Sequence, residues 1–110
     1  MSKYNELSDF EINLKVAHII LGVGKYDWCD HTRVVKKYIT DDKGLCMDYN
    51  PCNNPSDAMP IINKYGISLI YQDGKFQFAT HDGNIECCDN NPLRASMIVL
   101  LCMLDGDYES

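Results

Sequence analysis

The stretch Tyr49-Asn50-Pro51-Cys52-Asn53-Asn54-Pro55-Ser56-Asp57-Ala58-Met59-Pro60-Ile61-Ile62 limits this chain more than any other part of it. Three prolines and three asparagines fix the backbone before the hydrophobic residues begin. The result is a rigid polar loop that feeds an apolar helix. A shorter version recurs at Asp89-Asn90-Asn91-Pro92-Leu93-Arg94-Ala95-Ser96. Both put Asn-Pro at a helix entrance, where Asn caps and Pro fits the first helical position. In the first of these helices, Ser56 or Asp57 is the expected cap. Either keeps Pro60 in or close to the first turn, whereas Asn54 would leave it deeper, and an interior proline costs about 3 kcal/mol or more. Gly66 marks the end of this helix.

Elsewhere the local signals are conventional. Ser8-Asp9-Phe10-Glu11 is a capping box, with Leu7 and Ile12 placed for a hydrophobic staple. Phe10, Leu14, Ala17 and Leu21 mark one face of a helix over 9–21. Residues 23–43 fit either a short helix over 32–39 or a strand pair. Asp41-Asp42-Lys43-Gly44 is a turn, and 45–49 alternates like a strand. Strands over 67–71 and 76–80 flank Asp73-Gly74, a hairpin signal. Ile67, Leu69 and Tyr71 share one face by alternation, Phe76 and Phe78 another. A second turn at His81-Asp82-Gly83-Asn84 leads to a strand over 85–88, a meander that 45–49 would extend. The last helix, from Asn91-Pro92, carries Leu93, Met97, Leu100, Leu101 and Leu104 and is the expected packing centre. The expected class is α+β: a small single domain with a three- to four-stranded antiparallel sheet and about three helices.

With 110 residues the chain can bury one core. Its formal charge of −6 disfavours direct nucleic-acid binding, which needs clustered Lys and Arg. Six cysteines accompany an N-terminus without an apolar signal region. The longest apolar run, Met97 to Leu104, is far short of the ~20 residues that span a bilayer. No membrane association is therefore expected, and a cytoplasmic location with reduced thiols is.

Residues for chemistry are sparse. Cys29 with His31, or Cys87 and Cys88 with His81, are the only thiol–base candidates, and neither matches a known nucleophile signature. Cys29, His31, Cys46 and Cys52 could form a Cys3His set, but the short Cys-x2–4-Cys knuckles of structural zinc sites are missing. No catalytic residues, metal or cofactor are expected. Arg94 falls at the third position of the last helix if Asn91 caps it, a cation at the positive end of the dipole. Either Asp57 neutralises it, if the two Asn-Pro entrances lie side by side, or Arg94 with Asn54, Asp57 and Asn91 at the entrances binds a small anion. Trp28 and Tyr26, in the least regular segment, are the candidates for a partner-binding surface.

Ser8-Asp9-Phe10-Glu11-Ile12-Asn13, the block from Pro51 to Ile62, and Asn91-Pro92-Leu93-Arg94-Ala95 with the aliphatic run after it resemble the NinX-like family of tailed phages and prophages. These are accessory proteins of the nin region of lambdoid phages, with no assigned activity. More loosely, the plan is similar to phage α-β-α sandwich domains. The resemblance implies one NinX-like domain over 1–110, with 23–43 as a variable segment and 105–110 as an acidic tail. It also implies a host bacterial cytoplasm. It brings no catalytic residues and fixes no oligomeric state. The expected function is a non-enzymatic accessory protein that binds a host or phage protein, with countering host defence as one role for such a binder. The alternatives are a binder of a small anionic ligand such as a nucleotide signal, and, more remotely, a cysteine-dependent enzyme.

Overall fold

In the computed structural model, which describes residues 3–104, the elements in chain order are a 3-10 turn (Lys3–Glu6), α1 (Asp9–Ile20), β1 (Tyr26–Cys29), β2 (Val34–Tyr38), β3 (Cys46–Asp48), α2 (Pro55–Tyr65), β4 (Ile67–Gln72), β5 (Lys75–His81), β6 (Ile85–Cys87) and α3 (Pro92–Leu104). The acidic tail at 105–110 lies outside the described residues. The α+β class is as expected. No helix among the described residues is long and apolar enough to cross a membrane.

Helix α3 organises the core. Every residue from Ala95 to Cys102 is buried, so this helix needs neighbours on all sides. It has them in α1, α2, the 3-10 turn and all three strands of the β4–β5–β6 sheet. Ser96 is buried harmlessly because its hydroxyl donates to the Pro92 carbonyl one turn back, at 2.8 Å. Helix α1 starts with the expected capping box: the Glu11 amide donates to Ser8 Oγ and the Ser8 amide to Glu11 Oε1. One side of α1 meets α3 and another meets β1 and β2. Its buried residues are consequently Phe10, Ile12, Asn13, Val16 and Ala17, a wider face than the expected stripe, with Leu14 only partly covered.

The strands form two antiparallel sheets of three. The 23–43 segment resolves as a strand pair, β1 against β2, and the short-helix alternative is not realised. The strand over 46–48 pairs with β2, not with the β4–β6 meander that it was expected to extend. Chain order explains this: the Asp41–Gly44 turn folds it straight back on β2 before the proline loop carries the chain away.

Two further expectations change. Asn54 caps α2, its Oδ1 accepting the Ser56 amide at 3.0 Å, with Pro55 in the first helical position. Pro60 is therefore an interior proline, contrary to the expected Ser56 or Asp57 cap. It is tolerated because Ser56 and Pro60 are both exposed, so the carbonyl that loses its helical donor meets water. The helix ends where predicted, at Gly66, whose φ of 67° is left-handed. In the meander, Ile70 faces Phe78 while Tyr71 faces Phe76, so β5 holds an extra residue, Gln77, at a bulge. The bulge turns Phe76 onto the core side, its ring 5.5 Å from that of Tyr71, and separates it from Phe78. Simple alternation had put the two phenylalanines on one face.

Candidate functional site

The asparagine-rich blocks converge on one polar hub. Asn13, only 6% exposed on α1, donates to Asn50 Oδ1 at 2.8 Å and accepts the Cys52 amide at 3.0 Å. Asn53 donates to Asp9 Oδ2 at 2.9 Å. Asn91 donates to the Cys52 carbonyl (2.8 Å) and to Asn53 Oδ1 (2.9 Å), while its own Oδ1 accepts the Leu93 and Arg94 amides to cap α3. The two Asn-Pro entrances do lie together, bridged by Asn91 and Asn53. Among the described residues no buried side-chain nitrogen or oxygen lacks a partner. A part-buried polar network so completed fixes the relative placement of α1, α3 and the proline loop.

Arg94 does not pair with Asp57. Its Nη1 donates to Asp9 Oδ1 at 2.7 Å and its Nε to Asp89 Oδ2 at 3.0 Å. Its Nη2 donates to the carbonyls of Asn5 (3.1 Å) and Leu7 (2.7 Å). The guanidinium is thus the clamp that holds the amino-terminal turn on α3, and an added anion would have to displace a carboxylate. Asp57 is turned the other way. It is buried, accepts the Asn50 amide at 2.9 Å and faces Lys37 at 3.9 Å. The reason is local: Asp57 is in the first turn of α2 and folds back on its own loop, whereas Asp89, five residues before Arg94, is already beside it.

The thiols separate into two kinds. Cys52 lies under the hub, and burial pushes its thiol up to about 12. Burial likewise pushes Cys87 up to about 11, against an opposing hydrogen bond from Asn5. Cys29 is exposed at the end of β1. Hydrogen bonds from the Thr32 side chain and the Thr32 and His31 amides hold its thiol below the usual value. His31 therefore acts there through its backbone. His81 faces Asp82 at 3.6 Å. Cys29 and Cys46 are exposed and Cys52 is buried, so the Cys3His set does not assemble, and no group of three or more potential ligands among the described residues could hold a metal ion.

Tyr26 and Trp28 lie on one face of β1, stacked with centroids 5.9 Å apart. Tyr26 Oη is 3.0 Å from His18 Nδ1 on α1. With Leu14, Lys15 and Ile19 they line a cleft of about 290 Å³ between strand and helix. Trp28 remains 46% exposed above it. Strand β1 is a sheet edge. The Tyr38 amide bonds to the Lys25 carbonyl, which sets the ladder's phase and turns the Tyr26 and Trp28 amides toward the open side. Asp27 Oδ1 covers the Trp28 amide at 2.8 Å, and Tyr38 Oη holds Asp27 Oδ2 at 3.0 Å. A carboxylate on an edge amide blunts strand-to-strand aggregation while leaving the aromatic face open.

A family model described as "Bacteriophage P22, NinX" matches residues 3–104. The chain belongs to this phage family. No curated protein and no solved structure matches it. The three blocks that resemble the NinX family, 8–13, 51–62 and 91–95, are distant in sequence and meet in the hub through Asp9, Asn13, Cys52, Asn53, Asn91 and Arg94. The blocks that carry the resemblance thus supply residues that lock the helices together. Sequence reading missed Asp9, Asn13, Asn50, Asn53 and Asp89 as members. Asn13 carried the one usable signal, an amide on the buried side of an apolar helix, which has to be satisfied by something.

Proposed function

We propose that this NinX-family protein is a phage accessory protein that works without catalysis, by binding a host or phage protein in the infected cell through the face made by β1 and α1. The observation that carries the reading is Trp28: a large aromatic, stacked on Tyr26 and beside an apolar cleft, yet nearly half exposed. Aromatics held rigidly at a surface are the commonest anchors of protein interfaces. Burial raises the thiol pKa of Cys52 and Cys87 and removes those two as nucleophiles. Blunting a host defence is one task such a binder performs.

A photo-crosslinking residue at position 28, expressed during infection, tests this. A discrete adduct is expected from position 28 and none from the exposed position 64 on α2. The same adducts from both positions, or none from either, would sink the reading.

A further inference from the structure

The turn between β1 and β2 and the proline loop enclose a second, polar cleft of about 260 Å³, which shares no lining residue with the Tyr26–Trp28 cleft. Its polar wall is Asn13, Arg33, Asp48, Asn50, Asn53 and Asn54.

Arg33 is the unusual member. Its φ of 59° is left-handed, a conformation that costs a side-chain-bearing residue roughly 1–2 kcal/mol and that suits Gly, Asn or Asp. Its guanidinium is nevertheless held in place, 4.5 Å over the buried Phe10 ring and 3.1 Å from Ser8 Oγ. Both partners are neutral. Glu11 is the acid whose field it shares at the α1 entrance, and Glu11 itself is engaged by the Ser8 amide. Arg94 commits four N–H bonds to two carboxylates and two carbonyls; Arg33 has only its bond to Ser8 Oγ among the described hydrogen bonds. A fork-shaped donor set is therefore presented to the cleft at a cost in backbone strain.

The other groups define what fits. Asn13, Asn50 and Asn53 are immobilised by the hub and line the cleft with neutral carboxamides. Asn54 uses its oxygen to cap α2 and retains its NH2. Asp48 adds a carboxylate, one oxygen of which holds Lys36 at 2.8 Å. The Arg33 guanidinium, the second oxygen of the Lys36-paired Asp48 and the carboxamides, in a space near the lower limit of small-molecule pockets, suit a compact dipolar ligand.

We propose that this cleft binds a free α-amino acid with a polar, uncharged side chain. Its carboxylate pairs with Arg33, its ammonium with Asp48, and its side chain hydrogen-bonds to the Asn carboxamides. The assignment is independent of the protein-binding reading.

Thermal shift and calorimetry on the full chain test it, with glutamine, asparagine, serine, their counterparts lacking the amino group, and inorganic phosphate as probes at about 10 mM. A ligand binding a hundredfold below that concentration raises Tm by roughly 10 °C for a chain of this size. At least one of the three amino acids is expected to do so, with its des-amino counterpart at least tenfold weaker. Arg33→Gly fits the left-handed backbone and keeps the fold, so it is expected to abolish the shift without lowering the ligand-free Tm by more than a few degrees. Asp48→Asn is expected to remove the preference for the amino group, and Lys64→Ala, on the exposed side of α2, to leave the ligand-induced shift unchanged. The proposal fails if none of the amino acids shifts Tm, if the shift survives Arg33→Gly, or if phosphate stabilises as strongly as the amino acids.

Discussion

Replacing Arg94 by leucine tests the claim that the hub is structural. The side chain, 14% exposed, makes four hydrogen bonds, two of them to carboxylates. A fully buried charged bond contributes ~1.5–3 kcal/mol. Asp9 is 45% and Asp89 21% exposed, so water recovers part of that when the arginine is removed. We take about 1 kcal/mol for each of the four contacts and subtract about 1 kcal/mol for the buried leucine side chain. The expected loss is about 3 kcal/mol, a large part of the 5–15 kcal/mol typical of a domain. With a urea slope of about 2 kcal/mol/M, the midpoint should fall by roughly 1.5 M, read by far-ultraviolet circular dichroism. Arg94→Lys keeps the charge, but one ammonium cannot reach four diverging acceptors, so it should recover no more than about half of the loss. A midpoint shift under about 0.5 M for leucine, or full recovery with lysine, would refute the clamp.

Two other outcomes follow from local geometry. Pro60→Ala restores the helical bond that Pro60 denies the Ser56 carbonyl, so α2 and the protein should gain about 1–2 kcal/mol after the lost rigidity of the unfolded chain is subtracted; a lower urea midpoint would refute the view that the interior proline is merely tolerated. Thiol alkylation followed by mass spectrometry should label Cys29 first. Its lowered pKa keeps thiolate present at a lower pH than for an ordinary cysteine, whereas Cys52 and Cys87, raised to about 12 and about 11, stay protonated and should react only on unfolding. Labelling of Cys52 in the native protein as fast as Cys29 would contradict the buried hub.

The sequence by itself determined the elements whose causes are local. The Ser8–Glu11 box, the Asp73-Gly74 hairpin turn and the Gly66 stop each depend on a few adjacent residues, and each is found where the sequence puts it. The apolar stretch after Pro92 identified the central helix because no other segment can be buried on every side. Tertiary structure decided the rest. Which sheet the 46–48 strand joins and which face Phe76 takes after the Gln77 bulge were settled by strand pairing, and where α2 starts relative to Pro60 by which of several neighbouring polar residues won the cap. The same holds for the hub. Arg94 could be recognised as an unneutralised cation from sequence, but its partners Asp9 and Asp89 were selected by distance in space, 85 and 5 residues away along the chain. A cap or a turn closes within a few residues and is written in their order, whereas charge pairing and side-chain burial are settled only when distant segments compete for the same contact.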